Sequence, residues 1–77
     1  MKKLQILGPG CARCAGLAAA VENAAQRSGI EYELERITDV EAIIDFGVLM
    51  TPALVIDGEV KVVGRIPSPE ELDELLA

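Results

Sequence analysis

Two cysteines, Cys11 and Cys14, are the residues of this 77-residue chain best equipped for chemistry. They stand in the run Gly8-Pro9-Gly10-Cys11-Ala12-Arg13-Cys14. An apolar stretch, Leu4 to Leu7, enters that run, and an alanine-rich helical stretch, Ala15 to Ser28, leaves it. A C-x-x-C at such a strand-to-helix junction puts one thiol at the helix N-terminus and the other a turn further in. The unpaired backbone N–H groups and the positive end of the macrodipole favour a thiolate there. A thiolate is the form that attacks disulfides, so Cys11 is the expected nucleophile and Cys14 the resolving thiol. The alternatives are two small buried apolar residues or a metal site. Arg13, between the cysteines, either lowers the nucleophile's pKa further or is simply solvated.

The rest of the composition narrows the chemistry. There is no histidine, which excludes Cys-His and Ser-His-Asp nucleophilic systems and mixed Cys/His zinc sites. Net charge is −6 with a pI near 4.4, which argues against nucleic acid or an anionic membrane surface as partner. The charge is uneven: residues 1–30 hold Lys2, Lys3, Arg13 and Arg27 against Glu22, a net +3, which leaves −9 for the remainder. The cysteine end is therefore the end kinder to an anion. Hydrophobic residues make up 51%, but Phe46 and Tyr32 are the only aromatics, so the core must be aliphatic. The opening Met-Lys-Lys is not expected to begin a signal peptide, because Gly8-Pro9-Gly10 breaks the apolar stretch before it reaches the needed length. A cytoplasmic location is expected, where a lone C-x-x-C reads as redox or metal chemistry and not as a structural staple.

The elements that must hold this site follow in order. Lys2 to Leu7 reads as a short apolar strand suited to a sheet centre. Cys14, Leu17, Ala18, Val21 and Ala25 recur at helical spacing, and Gly29 follows as a C′ cap with Ile30 folding back on the helix end. Glu31 to Ile37 alternates, with three glutamates on one face, the pattern of a guarded edge strand. Thr38-Asp39-Val40-Glu41 matches a capping box opening a short helix, with Val40, Ile43 and Ile44 as its buried stripe and Gly47 as its end. Ala53 to Ile56 and Val60 to Val63 are strands joined by Asp57-Gly58, a two-residue hairpin signal. Gly64 to Pro67 is a loop, Ser68-Pro69-Glu70-Glu71 a second capping box with proline at N1, and Leu72, Leu75 and Leu76 face inward on the last helix. The order is βαβαββα over one domain, residues 1–77. The first two strands, joined through a helix, should be parallel and the hairpin antiparallel. Pro52, after Thr51, is either a trans residue that starts a strand or a cis residue packed beside the cysteines.

The C-x-x-C at the first strand-to-helix turn, the βαβαββα order and Thr51-Pro52 before a hairpin resemble the thioredoxin superfamily in its minimal, glutaredoxin-sized form. The stretches most similar to small redox-active disulfide proteins are Cys11 to Cys14, Gly47 to Val60 and Val63 to Ser68, and the likeness covers essentially the whole chain. It implies an α/β fold with a four-stranded mixed sheet flanked by three helices. It also implies that Pro52 is the cis-proline lying against the active disulfide, that Thr51 pairs with an extended substrate segment, and that Gly64 lets a partner approach. The chain departs from the pattern as well. Gly10 stands where thioredoxins have tryptophan, and Gln5 stands about where they bury an aspartate. Gly64-Arg65-Ile66-Pro67-Ser68 replaces the Gly-Gly-x-Asp with which glutaredoxins hold glutathione.

The expected activity is thiol–disulfide oxidoreduction on protein disulfides, with Cys11, Cys14, Thr51, Pro52, Gly64 and Arg13 as site residues. No cofactor is expected beyond the Cys11–Cys14 disulfide itself. The expected electron donor is a disulfide reductase or dithiol protein, with no membrane or nucleic acid involved and the chain working as a monomer. Cys11 should titrate below the free-thiol value of about 8.5, near 5.5–7.5, while Cys14 stays a thiol. The alternative is a soft-metal carrier that holds Cu(I) or Zn on the same thiolates. Against it, heavy-metal-associated domains run βαββαβ and place Met two residues before the first cysteine, where this chain has Pro9. A non-catalytic binding module would have no need of both thiols.

Overall fold

In the computed structural model, residues 1–10 and 12–77 are described; Cys11 lies outside the described residues. The elements are β1 (Lys2–Leu7), α1 (Ala12–Ser28), β2 (Tyr32–Ile37), α2 (Val40–Asp45), β3 (Ala53–Ile56), β4 (Glu59–Val63) and α3 (Pro69–Leu76). They build one four-stranded sheet in the order β2-β1-β3-β4. β1 pairs parallel with β2 and antiparallel with β3, and β3 pairs antiparallel with β4. The apolar strands β1 and β3 thus take the two central places, each burying both faces. The glutamate-striped β2 sits at an edge, with Glu31, Glu33 and Glu35 exposed. Among the described residues, no helix is long and apolar enough to cross a membrane.

Side chains alternate across the central strands, and the two faces carry separate cores. Leu4, Ile6, Leu54, Ile56 and Val62 meet Leu17, Val21, Ala24 and Ala25 of α1 and Leu72 and Leu76 of α3. On the opposite face Leu7, Ala53 and Val55 meet Ile43 and Val48, with Ile37 and Phe46 packed around them. Alanines on the inner face of α1 let that long helix lie close to the sheet. The Asp57-Gly58 turn has φ of 51° and 85°, the left-handed pair that matches the strand twist in a two-residue hairpin.

The expectation for α2 is corrected in two respects. Its N-cap is Asp39, not Thr38: the Asp39 carboxylate accepts from the Glu41 N–H at 3.0 Å. Aspartate caps at least as well as threonine, so the chain uses the later residue and the helix starts one position on. Val40 and Ile44 are also not buried; they are 56% and 58% exposed. A helix of 6 residues covers only the end of the sheet. Ile43 and Phe46, three residues apart, reach that end and leave Val40 and Ile44 pointing away from it.

The cap of α3 is as the sequence suggests. The Ser68 hydroxyl accepts from the Glu71 N–H at 3.2 Å, and Pro69 opens the helix. The Glu71 side chain, however, turns to Arg65 and does not reach back to the cap. Ser68→Ala should cost about 1 kcal/mol. In a domain of this size that lowers the melting temperature by about 4–8 °C, readable by thermal circular dichroism.

Candidate active site

The site grows out of the strand register. Leu7, the last residue of β1, pairs with Ala53, the first of β3, and Ala53 pairs with Val63, the last of β4. One residue further, the same row holds Gly8, Pro52 and Gly64 side by side at one end of the sheet. The backbone ties the row together: the Gly8 N–H donates to the Ile37 carbonyl at 2.9 Å, and the Gly64 N–H donates to the Pro52 carbonyl at 2.7 Å. Ile43, Phe46 and Val48 pack beneath this end of the sheet. The three segments singled out in the sequence, around Cys14, Thr51-Pro52 and Gly64, therefore converge.

α1 begins at Ala12, the residue after Cys11 in the sequence. Cys14 is fully buried in its first turn. Its sulfur lies directly over the α-carbon of Gly8: a β-carbon built on Gly8 would fall 2.1 Å from Cys14 Sγ. The same point is 3.9 Å from Thr51 Cβ, so Cys14 and Thr51 flank Gly8 together. The Thr51–Pro52 peptide is cis, Pro52 is fully buried and Thr51 half-buried. Arg13 is exposed on the outer side of the first turn of α1. Cys11, the expected nucleophile, lies outside the described residues.

Gly64 takes φ of +75°, a left-handed turn at the end of β4 that glycine adopts without strain. Its α-carbon is covered: a β-carbon there would meet Met50 Cε at 3.2 Å and Met50 Cβ at 3.4 Å. The surface beside Thr51 is thus apolar, and it is not small-sided, because Met50 spreads across Gly64. Leu49 and Met50 are 93% and 62% exposed. On the other flank Ile66 packs on Gly16 of α1, at 3.2 Å from where a β-carbon would stand. Next to Gly64, Arg65 holds both carboxylate oxygens of Glu71, at 2.7 and 2.5 Å. That hydrogen bond keeps the Glu71 carboxyl below its ordinary pKa.

Against known sequences, residues 2–77 match the thioredoxin-domain family, which is nearly the whole chain. The chain belongs to the thioredoxin family. A thioredoxin of Methanothermobacter thermautotrophicus is 39% identical over 77 residues, the full length of both chains. A thioredoxin of Methanocaldococcus jannaschii is 36% identical over 76 residues, covering 99% of this chain and 87% of the relative. The four-stranded mixed sheet with three helices is the minimal thioredoxin fold, and the family's reaction class, thiol–disulfide oxidoreduction, is that of this chain.

Two residues of this thioredoxin-family site carry no mark in the sequence. Gly8 reads there as one more turn residue before the cysteines, and its contact with Cys14 exists only once β1 and α1 are folded together. Met50 reads as part of an irregular apolar stretch. Only the register that brings β3 beside β4 shows that it lies over Gly64. Gln5 is 8% exposed and donates to the Glu35 carboxylate at 2.9 Å, so its amide is engaged by the edge strand.

Proposed function

We propose that the chain exchanges dithiol for disulfide with protein substrates, with Cys11 as nucleophile and Cys14 as resolving thiol. The observation that carries this reading is the position of Cys14: buried in the first turn of α1, with its sulfur against Gly8, which Thr51 also flanks. A thiol enclosed in this way is poor at meeting an outside reagent and suited to a partner within the same motif. The Cys11 thiolate attacks a substrate disulfide and a mixed disulfide forms. Cys14 then displaces the reduced substrate, and the Cys11–Cys14 disulfide remains as the only redox group. No other cofactor is called for.

The substrate is an extended, apolar protein segment lying along Thr51 and Pro52. Leu49, Met50 and Ile66 offer exposed apolar contacts on either side, and Arg13 offers the nearby positive charge. Glutathione fits less well. It brings two carboxylates, and Arg65, the cation after Gly64, is already held by both oxygens of Glu71. The donor that restores the dithiol is therefore a flavin disulfide reductase or another dithiol protein, acting on a monomer in the cytoplasm.

Two assays separate the donors. Oxidised protein is expected to be reduced by a thioredoxin reductase with NADPH, and to turn over a glutathione mixed disulfide no faster than free thiol does. Rapid glutathione turnover with no response to any reductase would overturn the choice of donor. If both assays fail and the dithiol binds Cu(I) or Zn tightly and stoichiometrically, the chain is a metal carrier instead.

A further inference from the structure

We propose that Gly8 is a positioning residue for the Cys14 sulfur, and that its missing side chain sets how readily the Cys11–Cys14 disulfide closes. The inference rests on the exchange reading above for the role of Cys14, and on the packing at Gly8 for everything else.

Gly8 is not among the glycines with positive φ, so a left-handed backbone is not what requires glycine here. Space is. A β-carbon at this position would stand 2.1 Å from Cys14 Sγ and 2.9 Å from Cys14 Cβ, where non-bonded heavy atoms keep about 3.5–4.0 Å. Turning Cys14 about χ1 would move the sulfur but leave its β-carbon in place. Cys14 is itself fully buried, so its sulfur cannot swing out into solvent without moving the helix. Gly8 cannot retreat either. Its N–H is bonded to Ile37 on one side, and the strand register sets it beside Pro52 on the other. Any side chain at residue 8 must therefore push the first turn of α1 outward and carry Cys14 off its seat against Gly8.

The step affected is ring closure. In the mixed disulfide, the Cys14 thiol gives its proton to solvent and its sulfur attacks the Cys11 sulfur. The Cys11–Cys14 bond forms as the bond to the substrate sulfur breaks, and the substrate leaves as a thiolate that takes up a proton. The substrate disulfide gains two electrons and the protein dithiol loses two. No bound reagent is involved, so the rate depends on how closely Cys14 is held to the line of attack.

Gly8→Ala tests this in the full chain, with reduced and oxidised glutathione as the redox buffer and mass shift after alkylation as the readout. The disulfide–dithiol equilibrium should move toward the dithiol by about tenfold or more, with closure from a Cys11 mixed disulfide slowed to a similar degree. The melting temperature of the reduced protein should fall, and Cys14→Gly in the same chain, which removes both the sulfur and the β-carbon that the new methyl would meet, should restore most of that loss. A folded Gly8→Ala protein with wild-type equilibrium and closure rate would overturn the proposal. Should Gly8→Ala fail to fold, the double variant decides. Recovery of the fold supports the proposal, whereas an unfolded double variant beside a folded Cys14→Gly protein overturns it. A wild-type chain that never forms the Cys11–Cys14 disulfide would sink the exchange reading instead, and the melting of the single and double variants would still support or overturn the contact.

Discussion

Cys11→Ser should reduce disulfide exchange to the rate of the buffer thiol alone, whereas Cys14→Ser should stall it half-way, with the substrate held on Cys11. The asymmetry follows from position. Cys11 precedes the first helical residue in the sequence, where the free amides and dipole of α1 favour an anion. Cys14 is enclosed in the first turn with no exposed surface. In Cys14→Ser, alkylation of Cys11 should rise with a midpoint below the free-thiol value of about 8.5, near 5.5–7.5. In Cys11→Ser, alkylation of Cys14 should be slow across that whole range, because the reagent cannot reach it without opening α1. Mass spectrometry after incubation with a protein disulfide reads the trapped intermediate directly. A stable adduct on Cys14, or faster alkylation of Cys14 than of Cys11, would reverse the two roles.

Much of this arrangement was legible before any coordinates. The element order follows from turn chemistry and periodicity, which are local: Gly29, Gly47 and Asp57-Gly58 take the left-handed backbone that ends or turns an element, and Ser68-Pro69 caps and opens a helix. The same holds for the edge placement of β2, since three glutamates on one face tolerate no neighbouring chain. What could not be read locally is whatever depends on the partner surface. Val40 and Ile44 obey the helical period of a buried stripe, but burial needs a sheet of sufficient extent beneath them, and α2 reaches only its end. Gly8 and Met50 belong to the same class. Each matters through a contact between elements distant in the chain or crossing at a junction, Gly8 with Cys14 and Met50 with Gly64. The cysteines were visible because their chemistry is carried by residue type; the residues that aim them were not, because theirs is carried by shape.

The same dependence on shape sets the largest expected effect on stability. Leu54 lies in central strand β3, is fully buried, and packs with Leu4, Leu17, Val21 and Leu72 between sheet and helices. Leu54→Ala leaves a cavity, and its cost depends on how far the neighbours can close it. Here they cannot close far. Tyr32, one of the two aromatics, packs only at the margin of this core, and no methionine lies within it. The facing surface of α1 is largely alanine, with no reach to fill a gap. The cost should fall at about 2–5 kcal/mol, against a total stability of roughly 4–12 kcal/mol for a domain of this length. The melting temperature of reduced Leu54→Ala should therefore drop by about 10–30 °C, and the protein should be partly unfolded near physiological temperature. Leu49→Ala supplies the contrast: the same atoms are removed from a side chain 93% exposed, and the change should stay within about 0.5 kcal/mol. Thermal melts of the two variants, side by side under reducing conditions, measure the difference. If both shift the melting temperature by the same few degrees, Leu54 is not closely packed, and the two-sided aliphatic core does not hold the cysteine-bearing helix to the sheet.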